Sequence, residues 1–129
     1  PEAEVVEWMN GGVEYLGPSD NVQSHLAACR IFVLPSYREG TPRSVLEAMA
    51  TGRAILTSDA PGCRETVVDG KNGFLIPVRN VDALASKMIE LIENSVLVER
   101  MGTASLEIVQ EKYDIKKVNY LLLKDLELI

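Results

Sequence analysis

The chain has 129 residues, 47% hydrophobic and 25% charged, the make-up of an ordinary globular protein. It fits one domain able to bury ~65–70% of its unfolded surface. A net charge of −6 argues against nucleic acid or an anionic membrane as a general partner. No apolar stretch is long enough to cross a bilayer, and no secretory signal opens the chain.

The N-terminus reads as a cut: there is no initiator methionine, and residues 5–9 look like the end of a helix with no beginning. Asn10-Gly11-Gly12 is a turn, and residues 13–16 (V-E-Y-L) alternate as a short strand. Gly17 and Pro18 end it, and Ser19 or Asp20 can cap a helix running to about residue 29. Residues 31–34 (I-F-V-L) are bulky and apolar enough for a buried strand, which Pro35 breaks. Gly40 and Pro42 punctuate a loop, and a helix is expected over 43–51 with Gly52 as its stop. A strand over 54–57, a brief helix over 61–68 ended by Asp69-Gly70, and a strand over 73–76 follow. Beyond Pro77 the chain reads as helical. Asn80 caps a helix over 81–93 with Leu84, Met88, Leu91 and Ile92 at helical spacing. Two more are expected over 96–113 and 115–129, with Asp114 as the cap between them. Alternating strands and helices predict an α/β fold: a parallel sheet with right-handed crossovers over about residues 1–78, then helices over about 80–129, in one partial domain.

Cys29 and Cys63 have no metal or redox spacing and are expected as unpaired thiols. His25 has no partner at ligand spacing and reads as a half-buried helix residue. Charge is unevenly spread. Between Arg30 and Arg64 there are five arginines against Glu39, Glu47 and Asp59, a local charge of +2, so the remainder carries −8. Such a segment suits an anionic ligand.

The chemistry concentrates in residues 35–52, P-S-Y-R-E-G-T-P-R-S-V-L-E-A-M-A-T-G. A strand passing through a glycine-containing loop into a helix is a common phosphate site in α/β proteins, because the helix's first N–H groups and its dipole face the anion. On the helix, Leu46, Met49 and Ala50 are expected to face the core and Arg43, Glu47 and Thr51 to form a flanking stripe. Alone, Arg43 and Glu47 would make a surface ion pair worth ~0.3–0.5 kcal/mol. Carboxylates beside a phosphate cradle repel phosphate but grip hydroxyls, since each can accept two hydrogen bonds from a vicinal diol. A cradle with two such grips, Glu39 and Glu47, suggests a sugar nucleotide.

Residues 38–77, from R-E-G-T-P-R-S-V-L-E-A-M-A-T-G to D-G-K-N-G-F-L-I-P, resemble the retaining glycosyltransferases of family 4, which have the GT-B fold. The paired glutamates, the L-E-A-M-A helix, the G-C-R-E turn and the D-G-x-N-G-F-L-I-P segment come in that family's order. The resemblance implies a three-layer, Rossmann-like sheet with helices on both faces, forming the later part of a C-terminal donor-binding domain. It implies that Glu39 contacts the donor sugar as the catalytic-centre carboxylate and that Glu47 contacts the nucleotide ribose. Backbone amides around Gly40, Thr41, Arg43 and Ser44 would approach the sugar and diphosphate. The donor would be a nucleotide sugar, a UDP-sugar in this reading, passed to a glycan or lipid-linked acceptor in polysaccharide biosynthesis. No metal or other cofactor is needed. The acceptor-binding N-terminal domain is expected to be missing, so the chain alone should be inactive and its exposed edges should favour self-association. A cytoplasmic location is expected, with the full-length enzyme at the inner face of the membrane. Subsidiary candidates are Glu65, Ser36 and Tyr37, with Gly17 and Pro18 beside a nucleobase. The alternatives are a non-catalytic α/β interaction module, or another retaining GT-B activity such as a disaccharide synthase or phosphorylase.

Overall fold

The computed structural model describes residues 22–36, 40, 43–113, 120 and 123–124. The strand expected at 13–16, the caps at Ser19 or Asp20 and at Asp114, and most of the helix expected over 115–129 lie outside the described residues. Within them run α1 (Val22–Ala28), β1 (Ile31–Leu34), α2 (Arg43–Ala50), β2 (Ala54–Ser58), β3 (Gly73–Ile76), α3 (Val81–Ile92) and α4 (Ser95–Lys112). The sheet order is β1-β2-β3, and both pairings are parallel, with Ile31 opposite Ala54 and Ile55 opposite Gly73. All of β2 is buried, as a strand covered on both faces must be.

Alternation along β2 sorts the core into two layers. Ile55 packs with Leu26 of α1, Val45, Ala48 and Met49 of α2, and Ile108 and Val109 of α4. Ala54 and Leu56 face the other way, onto Ile76, Leu91 of α3, and Val98 and Met101 of α4. The expected three-layer α/β arrangement is therefore present. Because α4 contributes to both layers, it must pass an end of the sheet, and its contacts say which. Gly102 meets the backbone of Gly52 just before β2, and Ser105 meets Asn72 just before β3. The amino ends are closed by α4, leaving the carboxyl ends to form the site.

Helix ends follow their sequence signals. Asn80 Oδ1 accepts the N–H of Ala83, and Asn94 Oδ1 accepts that of Leu97. At the end of α2, Gly52 takes φ +79°. Its N–H donates to Met49 O, while the Arg53 N–H reaches back to Ala48 O, a Schellman closure.

Two expectations need correction. Residues 61–66 form turns and 67–68 no regular element, rather than a helix over 61–68, because Gly62 sits at φ +87°, outside helical space. That segment still buries Cys63, Thr66 and Val67, and Val67 joins the α2-side layer. On α2 the phase also differs: Val45, Ala48 and Met49 are buried together with Glu47, while Leu46 and Ala50 are half-buried. Contact with both β2 and α4 rotates the buried stripe relative to the sequence pattern.

Asn72 ties the turn segment to α4. Its side chain is fully buried; Oδ1 accepts the Val68 N–H at 2.8 Å, and Nδ2 donates to Thr66 O at 3.2 Å. Replacing it leaves those backbone groups without partners, each costing ~1–3 kcal/mol. Asn72→Ala should lower unfolding stability by at least about 2 kcal/mol in a urea titration.

Candidate functional site

Three described strands end side by side, and their carboxyl ends present Pro35-Ser36, Thr57-Ser58 and Pro77. Ser36 N–H turns back onto Leu34 O at 3.1 Å, and Thr57 Oγ1 donates to the same carbonyl at 2.7 Å, pinning the exit of β1. The chain reaches Gly40, which is exposed. A Cβ built on Gly40 would meet nothing within 4 Å, so packing does not require glycine there. Helix α2 then starts at Arg43.

Arg43 and Glu47 are brought together, with Nε 3.1 Å from Oε1. The pair is not the surface bridge expected from spacing alone. The Glu47 side chain is 3% exposed and that of Arg43 45%. A carboxylate so enclosed is costly unless a cation accompanies it, and the guanidinium one turn earlier supplies that charge while staying within reach of solvent. Ser44, half-buried, occupies the same first turn, where helix N–H groups lack intrahelical partners. Glu39, Thr41, Tyr37 and Arg38 lie outside the described residues.

Two other arginines of the cationic segment, Arg53 and Arg64, are engaged within the fold. Arg53 donates from Nε to Leu26 O at 2.8 Å and from Nη2 to Ala27 O at 3.1 Å, capping the last carbonyls of α1. Arg64 Nε lies 3.1 Å from Asp59 Oδ1. Both guanidinium groups are therefore already engaged within the protein. The main chain of Glu65 is an anchor: its carbonyl accepts from Lys112 Nζ and from the Tyr113 hydroxyl at the end of α4. Burial raises the Tyr113 phenol above its ordinary range, and the nearby Glu65 carboxylate adds to the effect. His25 is exposed rather than half-buried.

Both thiols are free, as expected. Burial pushes the Cys29 thiol up, against the lowering influence of Arg53, and Cys63 is enclosed. With less thiolate at pH 8, Cys29 should alkylate more slowly than a free thiol, and Cys63 should react only on unfolding. Iodoacetamide labelling followed by mass spectrometry checks both.

Above β2 and β3 lies a cavity of about 210 Å³, bordered by Pro35, Ser36, Ser58, Ile76, Pro77 and the start of α3. Arg43, Ser44 and Glu47 do not line it. Sequence reasoning missed it, since no local pattern marks strand ends that converge only in the fold. Arg79 on its rim takes φ +58°, a left-handed conformation costing a non-glycine residue ~1–2 kcal/mol. Among the described residues, no group of three or more His, Cys, Asp and Glu side chains could hold a metal. No described helix is long and apolar enough to cross a membrane.

A family profile described as glycosyl transferases group 1 matches residues 1–94. The chain belongs to the group 1 glycosyltransferases. It is 42% identical over 98 residues to the Campylobacter jejuni N,N'-diacetylbacillosaminyl-diphospho-undecaprenol alpha-1,3-N-acetylgalactosaminyltransferase, covering 75% of this chain and 26% of that one. The chain therefore spans about a quarter of that glycosyltransferase's length. Among solved structures it is similar to a variant of Staphylococcus aureus TarM in complex with fondaparinux, alpha-GlcNAc-glycerol and UDP. That likeness has a TM-score of 0.81 at 29% identity, over 96% of this chain and 26% of the other. Anabaena HepE in complex with UDP-glucose matches with a TM-score of 0.69 at 25% identity, over 84% of this chain and 30% of the other. The fold is the GT-B type of these glycosyltransferases, and a fragment of the C-terminal domain fits it.

Proposed function

We infer that this group 1 glycosyltransferase chain is the donor-binding portion of a retaining enzyme of family 4, holding a UDP-sugar between the β1–α2 loop and the start of α2. The observation that carries the reading is Glu47, a buried carboxylate paired with Arg43 on the first turns of the helix that follows Gly40, where a Cβ would meet nothing. In this reading the amides of Gly40, Thr41, Arg43 and Ser44 hold the diphosphate, Glu47 accepts the ribose diol, and Glu39 orients the sugar at the catalytic centre. The two relatives solved in complex with UDP and with UDP-glucose support a uridine nucleotide. The C. jejuni relative supports transfer to a lipid-linked glycan.

The protein's contribution to chemistry is positioning and charge stabilisation: the leaving diphosphate departs as the acceptor hydroxyl attacks from the same face. That step needs no metal in this reading. It does need the acceptor-binding domain, so the 129-residue chain should bind donor without transferring sugar. The full-length enzyme would work at the cytoplasmic face of a membrane.

Calorimetry with UDP, GDP and ADP tests the reading, UDP being expected to bind most tightly. Gly40→Ala sharpens it. A methyl group there meets no neighbour, so stability should stay within about 0.5 kcal/mol while UDP affinity falls, because the backbone can no longer approach phosphate closely. Equal, negligible binding of all three nucleotides would count against the assignment and favour a non-catalytic interaction module.

A further inference from the structure

The cavity at the carboxyl ends of the strands is not explained by the donor site around Arg43 and Glu47, and one buried group in it has no partner. Ser58 is the last residue of β2 and is 5% exposed. Two-residue alternation from Ala54 and Leu56 puts it on the α3 face of the sheet, the same face as Ile76 and Leu84. None of the described residues forms a hydrogen bond with its hydroxyl. No fully enclosed side-chain oxygen or nitrogen among the described residues lacks a partner, so this hydroxyl must open onto accessible space. The space it borders is the 210 Å³ cavity.

The neighbouring polar groups are spent on the fold. Thr57 Oγ1 donates to Leu34 O, and Asn80 Oδ1 caps α3. Ser36 and Arg79, the other polar residues of the lining, are also engaged with partners. The remaining wall is hydrocarbon: Pro35, Ile76, Pro77, Val81 and Leu84. Asp82 in the first turn of α3 offsets the helix dipole and disfavours an anion. What such a wall recognises is a neutral ring with C–H faces and hydroxyl edges. At about 210 Å³ the cavity is below the usual size for a drug-sized ligand and admits a single ring.

We propose that this cavity is a subsite for one pyranose ring, anchored by a hydrogen bond with the Ser58 hydroxyl and packed on Ile76, Leu84 and the two prolines. The inference rests on the donor-binding reading for its place in the reaction but not for its chemistry. The ring belongs either to the donor sugar or to the acceptor's sugar unit, and the experiment separates them.

The test is an amide NMR titration of the chain with UDP, UDP-glucose, UDP-N-acetylglucosamine, and the methyl glycosides of glucose, galactose and their N-acetylamino forms. The amides of Ser58, Arg79 and Val81 should move with a sugar-bearing ligand and stay still with UDP alone. Movement with the UDP-sugars assigns the ring to the donor, and movement with the methyl glycosides assigns it to the acceptor. Ser58→Ala, which removes the hydroxyl without adding bulk to the cavity, should weaken whichever sugar ligand binds about tenfold, the scale of one lost hydrogen bond. Silence of these amides to every sugar ligand would overturn the proposal, as would equal movement with UDP alone or unchanged sugar affinity in Ser58→Ala. If UDP moves no amide but a methyl glycoside moves Ser58, the subsite stands and the nucleotide reading falls.

Discussion

Gly73→Ala should unfold or severely destabilise the chain, by about 3 kcal/mol or more, with a fall in Tm of about 10 °C or more. Gly73 opens β3 directly opposite Ile55 of β2. A Cβ there would stand 1.6 Å from the Ile55 carbonyl oxygen and 2.6 Å from its carbonyl carbon. Both are backbone atoms of the central strand, so no side chain can swing aside, and relief requires parting two hydrogen-bonded strands. The β2–β3 pairing also carries Asn72 and its contact with Ser105 of α4, so the damage should reach the closed end of the sheet. Gly102→Ala is a companion case, with a Cβ 2.2 Å from Gly52 O, but the helix can tilt where a sheet cannot. Thermal unfolding followed by circular dichroism would show a cooperative transition for wild type and a lowered or absent one for Gly73→Ala. A fall of only a degree or two would mean that β3 can shift along β2.

Glu47→Gln should weaken UDP binding by about 1–3 kcal/mol, or roughly 5- to 150-fold, while leaving the fold intact. The amide keeps the volume of the carboxylate but gives up the charge and half of its acceptor capacity, which a vicinal diol needs. Stability should change little. Arg43 is 45% exposed and can be solvated when its partner is neutralised, so the loss should stay below about 1.5 kcal/mol. A large effect on affinity beside a small one on stability is the signature of a ligand-facing carboxylate. The reverse pattern, in which stability collapses and residual UDP affinity is unchanged, would make Glu47 a structural ion-pair member.

Much of the fold was legible before any coordinates. The three strands are short apolar runs bounded by Pro35, Gly52, Gly73 and Pro77, and each appears where the runs lie. Asn80 and Gly52 announced a helix start and a helix stop through groups acting within a few residues. Most of the failures share one physical cause: they depend on partners distant in sequence. Arg53 looks like free positive charge until it meets Leu26 and Ala27, 27 and 26 residues away. The phase of α2 is set by β2 and α4 rather than by the helix's own pattern. Residues 61–68 have helix-compatible spacing, but Gly62 adopts a left-handed conformation and the segment packs as turns. Ser58 carries no local signal at all, because an unpartnered hydroxyl is defined by what surrounds it. Of the site, the motif around Glu47 could be read from sequence, while its burial and the adjoining cavity could not.

The most direct measurement is a titration of isotope-labelled chain with UDP, read at backbone amides. Saturable shifts at Gly40, Arg43 and Ser44, with Gly70 and Gly102 at the opposite end of the sheet unmoved, are the expected result. Shifts absent from the β1–α2 loop, or concentrated where α4 closes the amino ends of the strands, would contradict the donor-binding account.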